Sequence, residues 1–491
     1  MTGYVRLCGV MSQMTRRRRI LVLLICCMSL LIVSLDNTIV NVALPALGRD
    51  LHAPVSGLQW TVDAYTLTLA SLLMLAGSTA DRIGRRRTFQ IGLVIFTAAS
   101  LLCSLAPSLG WLVAARILQA VGGSMLNPVA MSIITNTFTD RRERAQAIGV
   151  WGGVVGVSMA LGPVAGGLLT DTVDWRAIFW INVPIGLLAL FLTWRYVPES
   201  KAPSARRIDP VGQVLVIVLL GTLTYGIIEG PAAGAAVSAA CFAVAAAALA
   251  ALVVWELRRP EPLIDMRFFR SAPFSGAAVM AVAGFAGLGA FLFLNTLYLQ
   301  SNRGLSALAA GLCTLPVAVI TTIVGPLSGR LVGTRGPRVP LVVAGVCLAA
   351  AGTLLSQVTL TTPLPLLLGI YAVFGVGFGM LNPPITNTAV SGMPLAQAGV
   401  AAAVASTSRQ VGQSLGVAIA GSMVSGAVSS TVSGANAAFV PAAHAAFRVN
   451  ALYGLIVLSV ALATTGRWAR RTAERTAARL SENPQVTLSQ G

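Results

Sequence analysis

Asp36, Asp63 and Arg116 each fall in long apolar stretches, beside neighbours such as Leu35 and Ile39, Val62 and Ala64, or Ala115 and Ile117. Such stretches run to about 20 residues, the length of helix that crosses a bilayer. An ionisable group at the centre of one costs roughly 2.5–3.5 kcal/mol on insertion scales, so each needs a partner or a task. At 1.5 Å per residue, Asp36 stands about 24 Å from the inner start of its span, and Asp63 and Arg116 about 9 Å below the outer edge. The three share one layer. Two carboxylates and a guanidinium in such a layer bind protons according to their hydration and mutual distances, which makes a device for taking up and releasing a proton. A static ion pair that holds helices together is the other reading, and position alone leaves both open.

Two further charges sit in apolar surroundings. Glu229 lies near the outer end of the seventh span and reads as an interfacial carboxylate; Arg409 lies inside the thirteenth, with no acid evident in the repeat around it. Backbone carbonyls, substrate or a lipid phosphate are its candidate partners, and both residues are candidate substrate or lipid contacts.

The elements that must position these groups are transmembrane helices. The chain is 56% hydrophobic and 10% charged, with a mean hydropathy of +0.80 over 491 residues, too little polar surface for a body in water. Apolar spans are expected near 20–42, 57–80, 88–106, 111–134, 145–170, 176–194 and 211–228, then 233–255, 273–299, 307–331, 339–358, 363–388, 398–424 and 446–466. This predicts an all-α transmembrane protein of about fourteen spans. With Arg16–Arg19 held inside, only Arg49, Arg176, Arg303 and Arg448 fall outside, so both termini are expected in the cytoplasm. The net charge of +18 is mainly an orientation signal with some affinity for anionic lipid, and not a nucleic-acid signal. The first span is too long for a signal peptide and lacks a cleavage site; residues before Met14 read as a tail, with Met11 or Met14 as alternative starts.

Little else could do chemistry. The seven cysteines have no metal-ligand spacing, and His52 and His444 are too few for a metal site or a catalytic triad. The only lysine, Lys201, lies in no phosphate-binding loop. No catalytic residue, metal or cofactor is expected, and an ion gradient is the simpler driver.

A repeat runs through the chain. Gly122-Gly123-Ser124-Met125-Leu126-Asn127-Pro128 is echoed by Gly377-Phe378-Gly379-Met380-Leu381-Asn382-Pro383. The loop Gly77–Arg86 has a weaker echo in Gly325–Arg338, and Ala145-Gln146-Ala147 recurs as Ala396-Gln397-Ala398. Spans one to six thus pair with nine to fourteen in one orientation. The expected division is a tail 1–19, a six-helix bundle 20–197, two inserted helices 208–257, a second bundle 273–467 and a tail 468–491.

Gating candidates come from small residues and one loop. Gly149, Gly152, Gly153, Gly156, Gly162, Gly166 and Gly167, with Pro163, give span five a face that lets helices approach closely, either for packing alone or as a pliant interface that opens and closes access. Gly77, Asp81, Arg82, Gly84 and Arg85 place an acid between basic residues at the cytoplasmic end of a helix, where it could bind the neighbouring bundle and favour the outward-facing state.

These segments together resemble the fourteen-span drug:proton antiporters of the major facilitator superfamily. Leu35 to Pro45 is similar to that subfamily's first-helix motif, Gly77–Arg87 to the superfamily's signature loop, Arg116 with Gln119 and Gly122 to its fourth-helix motif, and Gly153–Gly167 to its antiporter motif. Trp175 to Gly186 and Arg409-Gln410-Val411-Gly412 are also similar to segments of the subfamily. The resemblance implies the major facilitator fold and proton-coupled export of hydrophobic drugs or antibiotics, cations included, with Asp36 handling the proton. A dedicated exporter of a metabolite, siderophore or lipid precursor is the alternative, and a proton symporter ranks below it. A monomer in a bacterial plasma membrane is expected. Two positions depart: Gly329 stands where the second repeat would match Asp81, and Asp63 is not a superfamily-wide feature.

Overall fold

The computed structural model describes residues 15–201, 209–259, 262–391, 393, 397–429 and 435–481. The expectations for the first fourteen residues (Cys8, Met11 and Met14 among them), for Ala396 and for the last ten residues of the C-terminal tail lie outside the described residues.

Among the described residues the chain is helical, and thirteen helices are long and apolar enough to cross a membrane. The long helices are α1 (Arg16–Asp50), α2 (Val55–Ile83), α3 (Arg85–Ser104), α4 (Leu109–Thr137), α5 (Arg141–Thr172), α6 (Ala177–Trp180 continued by Asn182–Tyr196) and α7 (Pro210–Ile228). Then follow α8 (Ala235–Arg258), α9 (Ala272–Thr296), α10 (Ala307–Arg335), α11 (Arg338–Leu355), α12 (Leu364–Val390), α13 (Ala398–Ser429) and α14 (Ala435–Thr464). The helix outside the thirteen is α13. Its 32 residues would span about 48 Å; its first half carries Ser406, Thr407, Ser408, Arg409 and Gln410, and from Val411 onward it is mostly apolar. A shorter helix, α15 (Arg467–Ser481), follows α14.

Helix ends depart from the apolar limits for local reasons. Arg16–Arg19, expected in the tail, form the first turn of α1, capped by the Thr15 hydroxyl. The loop expected at Gly77–Arg87 shrinks to Gly84: α2 runs on to Ile83, with the Ser78 and Thr79 hydroxyls satisfied within the helix by the Leu75 carbonyl. Gly77 is therefore helical, while Gly84, at φ 116°, makes the turn. Glu199 closes this corner by accepting from the Arg86 and Arg87 amides at 3.1 and 3.3 Å, an N-terminal cap for α3.

The chain forms two compact units, Met1–Gln213 with Leu299–Ala318, and Val214–Tyr298 with Val319–Gly491. In the first, α1 packs on α5, α4 and α6, and α3 packs on α4 and α6. In the second, α9 packs on α13, α12 and α14, and α11 packs on α12 and α14. The pairs are the same after a shift of eight helices. Matched glycines make the contacts: a Cβ on Gly122 of α4 would meet the α3 backbone at Gly92 and Phe96, and one on its echo, Gly377 of α12, would meet Leu348 of α11 at 2.9 Å. The repeat seen in the sequence is thus a repeat in packing. α8 is mostly exposed along its length, with only Ala245, Ala248, Leu252 and Glu256 buried.

A side chain at Gly122 must push two helix backbones apart, so Gly122→Val is expected to lower stability by about 1–3 kcal/mol. Gly149, with open space around it, should accept alanine with an unchanged or raised melting temperature. Thermal unfolding of both variants in detergent, followed by fluorescence-detected size exclusion, checks the contrast.

Candidate functional site

The first unit is built around one carboxylate. Asp36, fully buried on α1, accepts from Arg116 on α4 at Oδ2, and at Oδ1 from Gln119 Nε2 at 2.8 Å and Asn182 Nδ2 of α6 at 3.1 Å. The partners are held in turn. Gln119 Nε2 also donates to Ser100 Oγ of α3 at 2.8 Å, and its Oε1 accepts from Arg116 at 2.7 Å. Arg116 Nε donates to the Thr61 carbonyl of α2 at 3.1 Å, and its guanidinium lies 4.2 Å from the centre of the Tyr65 ring and 5.8 Å from that of Phe179. Five helices therefore converge on an ion pair whose side chains are no more than 1% exposed.

Asp36 and Arg116 are brought together. Asp63 is buried on α2, with the Thr66 hydroxyl 3.5 Å from its Oδ1, while Arg116 reaches α2 through the Thr61 backbone two residues earlier. In the sequence, Gln119 and Asn182 stand out only through segments similar to the family's, Gln119 in the fourth-helix motif and Asn182 within Trp175 to Gly186, and neither has a role assigned to it there. Their place adds a signal, Gln119 lying within a turn of Arg116 and Asn182 inside an otherwise apolar span.

The second repeat has a neutral counterpart. The glycine echo matches Arg116 to Tyr371 of α12, and Tyr371 hydrogen-bonds Asn295 of α9, the helix that corresponds to α1. An ion pair in the first repeat is a phenol–amide pair in the second.

The gating candidates separate into two kinds. A Cβ on Gly162 would strike the Thr38 side chain of α1, one on Gly166 would lie 2.7 Å from Ile39, and one on Gly167 2.5 Å from Leu308. Pro163 lies inside α5, and its carbonyl faces Gly311. Gly152 and Gly153 have open space, and Gly156 is half-buried. Asp171, near the end of α5, accepts from the amides of Ala307 and Leu308 at 3.1 and 2.8 Å, and so caps α10. Asp81 pairs with Arg85 of its own corner at 3.0 Å, and Arg82 is exposed. The segment after α5 contributes twice: beyond Phe179 and Asn182, it brings Trp175 Nε1 and Arg176 to Asp50 at 3.0 and 2.8 Å.

In the second unit, Glu229 is half-buried at the turn after α7, where its carbonyl accepts from Ala232 and Ala233. Arg409 meets two hydroxyls, Thr386 of α12 and Ser406 at 3.5 Å.

A multi-pass helical membrane protein with a twofold repeat and one buried ion pair in its first half belongs among the secondary transporters. The chain is a member of the Major Facilitator Superfamily, whose family model matches residues 26–417. It is 38% identical over 405 residues to the Multidrug resistance protein Stp of Mycobacterium tuberculosis, covering 82% of this chain and 75% of that one. It is 35% identical to the Tetracenomycin C resistance and export protein of Streptomyces glaucescens, with the same coverage. It is also 35% identical over 400 residues to the Multidrug efflux pump LfrA of Mycolicibacterium smegmatis, covering 81% of this chain and 79% of that one. Among solved structures, a bacterial homologue of the human lysosomal transporter Spinster, inward-facing and unoccupied, shares the fold with a TM-score of 0.65 at 17% identity, over 94% of this chain and 99% of that one.

Removing one member of a buried ion pair strands the other. Arg116→Gln is expected to cost about 3–5 kcal/mol, and Asp36→Asn combined with Arg116→Gln to recover much of it. A double-mutant cycle on melting temperatures in detergent measures the coupling, and purely additive losses would refute it.

Proposed function

We propose that the protein is a proton-driven antiporter that exports hydrophobic drugs or antibiotics across the plasma membrane. The observation that carries the reading is the buried Asp36 with its donors Arg116, Gln119 and Asn182, in a chain whose named relatives are multidrug resistance and export proteins. Asp36 is the group that takes and gives the proton. As a carboxylate it accepts from all three donors. Once protonated it no longer balances Arg116, whose remaining acceptors in the cluster are the Thr61 carbonyl and Gln119 Oε1. A proton therefore changes which helices are tied to α1, and that change biases one access state over the other.

Asp63 supports lipophilic cations among the substrates, since a buried acid on a second helix favours positive charge nearby. Gly162, Gly166 and Gly167 serve as the tight seam of α5 on which access opens and closes, and Asp81, Arg82, Gly84 and Arg85 steady the cytoplasmic corner. No cofactor beyond the proton gradient takes part, the protein works as a monomer, and both termini lie in the cytoplasm. A second reading is a dedicated exporter of one compound, favoured by the relative named for tetracenomycin C alone.

Inverted vesicles containing the protein, energised by an imposed proton gradient, should accumulate ethidium. Asp36→Asn should abolish gradient-dependent uptake, at least tenfold below wild type, while the protein still inserts and folds. Uptake that persists in Asp36→Asn would move the proton site elsewhere; normal expression with no ethidium uptake would favour the dedicated exporter.

A further inference from the structure

The second six-helix segment holds a cation and no acid to balance it. From Met266 to Ala473 the sequence contains neither aspartate nor glutamate, the flanking acids being Asp265 and Glu474. Within that stretch Arg409 lies eleven residues along α13, about 16 Å from the start of a helix about 48 Å long, and is half-buried. A guanidinium keeps its proton at physiological pH, and a buried charge without a counter-charge is strongly unfavourable. Arg116 in the first unit has Asp36 for this purpose. Arg409 has the hydroxyls of Thr386 and Ser406 and the face of the Phe285 ring, 5.9 Å from the guanidinium carbon. These are polar or polarisable contacts, and none carries negative charge. Its Nε is buried and makes no hydrogen bond among the described residues.

We propose that Arg409, with Thr386 and Ser406, forms a subsite for a carboxylate on an otherwise apolar transported compound. The inference deepens the export reading and rests on it. A carboxylate supplies the missing charge and can accept from Nε and an Nη together in the forked geometry that guanidinium favours. Phe285 offers an apolar face beside the charge for the ring system such a compound carries. The anion we assign is the transported compound's, and the test removes anionic lipid as the other source. Compounds bearing an acid are thus recognised in the second unit, and purely cationic ones gain nothing from it.

The test uses the full-length protein in phosphatidylcholine nanodiscs, which present no anionic lipid. Rhodamine B carries a free carboxylate on its cationic ring system, and its ethyl ester has the same rings without the acid. Fluorescence polarisation, referenced to empty nanodiscs, should show the wild type binding rhodamine B about tenfold more tightly than the ester. Arg409→Gln should remove this preference by weakening rhodamine B alone, and Arg409→Lys should keep part of it. Equal binding of both dyes, no binding of rhodamine B, or an equal loss of both in Arg409→Gln overturns the subsite. The wild-type comparison decides even if the glutamine variant does not fold. Ethidium transport by the same wild-type protein separates the two ideas: transport without a carboxylate preference sinks the subsite alone, and a carboxylate preference without ethidium transport keeps the subsite and moves the export reading to the dedicated exporter.

Discussion

A carboxylate placed where water does not reach dictates much of the first unit. Asp36 has to be met by donors, and α1 alone cannot supply them, so α4 and α6 must approach within hydrogen-bond reach at its level. Gln119 and Arg116 hold their aim only because Ser100 of α3 and the Thr61 carbonyl of α2 fix them from behind. The close approaches need small residues. Gly122 lets α4 lie on α3 one turn from Gln119, Gly186 lets α6 lie on Thr97 of α3, and Gly162 and Gly166 seat α5 on α1. The polar network and the glycine contacts are one solution to the placement of a single charge.

The two repeats show what that charge adds. The same helix pairs pack in each, and corresponding glycines sit at corresponding crossings. Gly412 and Gly416 bring α13 onto the α9 backbone near Val282 and Ala286, much as Gly162 and Gly166 bring α5 onto α1. Yet the Asp36–Arg116 pair is matched by Asn295 and Tyr371, which carry no formal charge. The scaffold does not require an ion pair, since its second copy closes around neutral groups. A buried pair is seldom worth more to stability than well-packed neutral side chains. Its retention in one repeat therefore argues for a task that a phenol and an amide cannot perform.

Much of this was legible in the sequence, because the relevant signals are blunt. A bilayer demands about 20 apolar residues per crossing, so fourteen spans could be placed from sequence, of which thirteen coincide with helices long and apolar enough to cross among the described residues. The Gly-Met-Leu-Asn-Pro echo located the repeat, and depth counting placed Asp36 and Arg116 at one level. Contacts that depend on side-chain direction were not legible. Whether Arg116 would meet Asp36, Asp63 or both depends on helix rotation, which hydropathy does not encode. Asn182 and Gln119 carry no charge to mark them. Helix ends slipped for a similar reason: apolar content reports where lipid ends, whereas Arg16–Arg19 and Ser78–Arg82 stay helical because their backbone bonds continue into water. The partner of Glu199, the amides opening α3, follows only from the fold of the corner at Gly84.

The density of bonds on Asp36 bears on how a proton could be coupled to movement. A lone buried acid could gain a proton with little effect on its surroundings. Asp36 cannot, because both of its oxygens are engaged, one by a guanidinium and the other by two amides on different helices. Protonation turns one acceptor into a donor, and the Arg116, Gln119 and Asn182 groups facing it are all donors. At least one of those contacts has to break or turn around. Gln119 can rotate its amide and present Oε1 to the new proton, but that oxygen already accepts from Arg116, and the rotation would withdraw Nε2 from Ser100. Turning Gln119 would carry the change from α1 to α4 and α3 through bonds already in place, and turning Asn182 would carry it to α6. Asn182 Oδ1 is buried and accepts no hydrogen bond among the described residues, so turning the Asn182 amide offers the new proton an acceptor while removing the Nδ2 bond that ties α6 to Asp36.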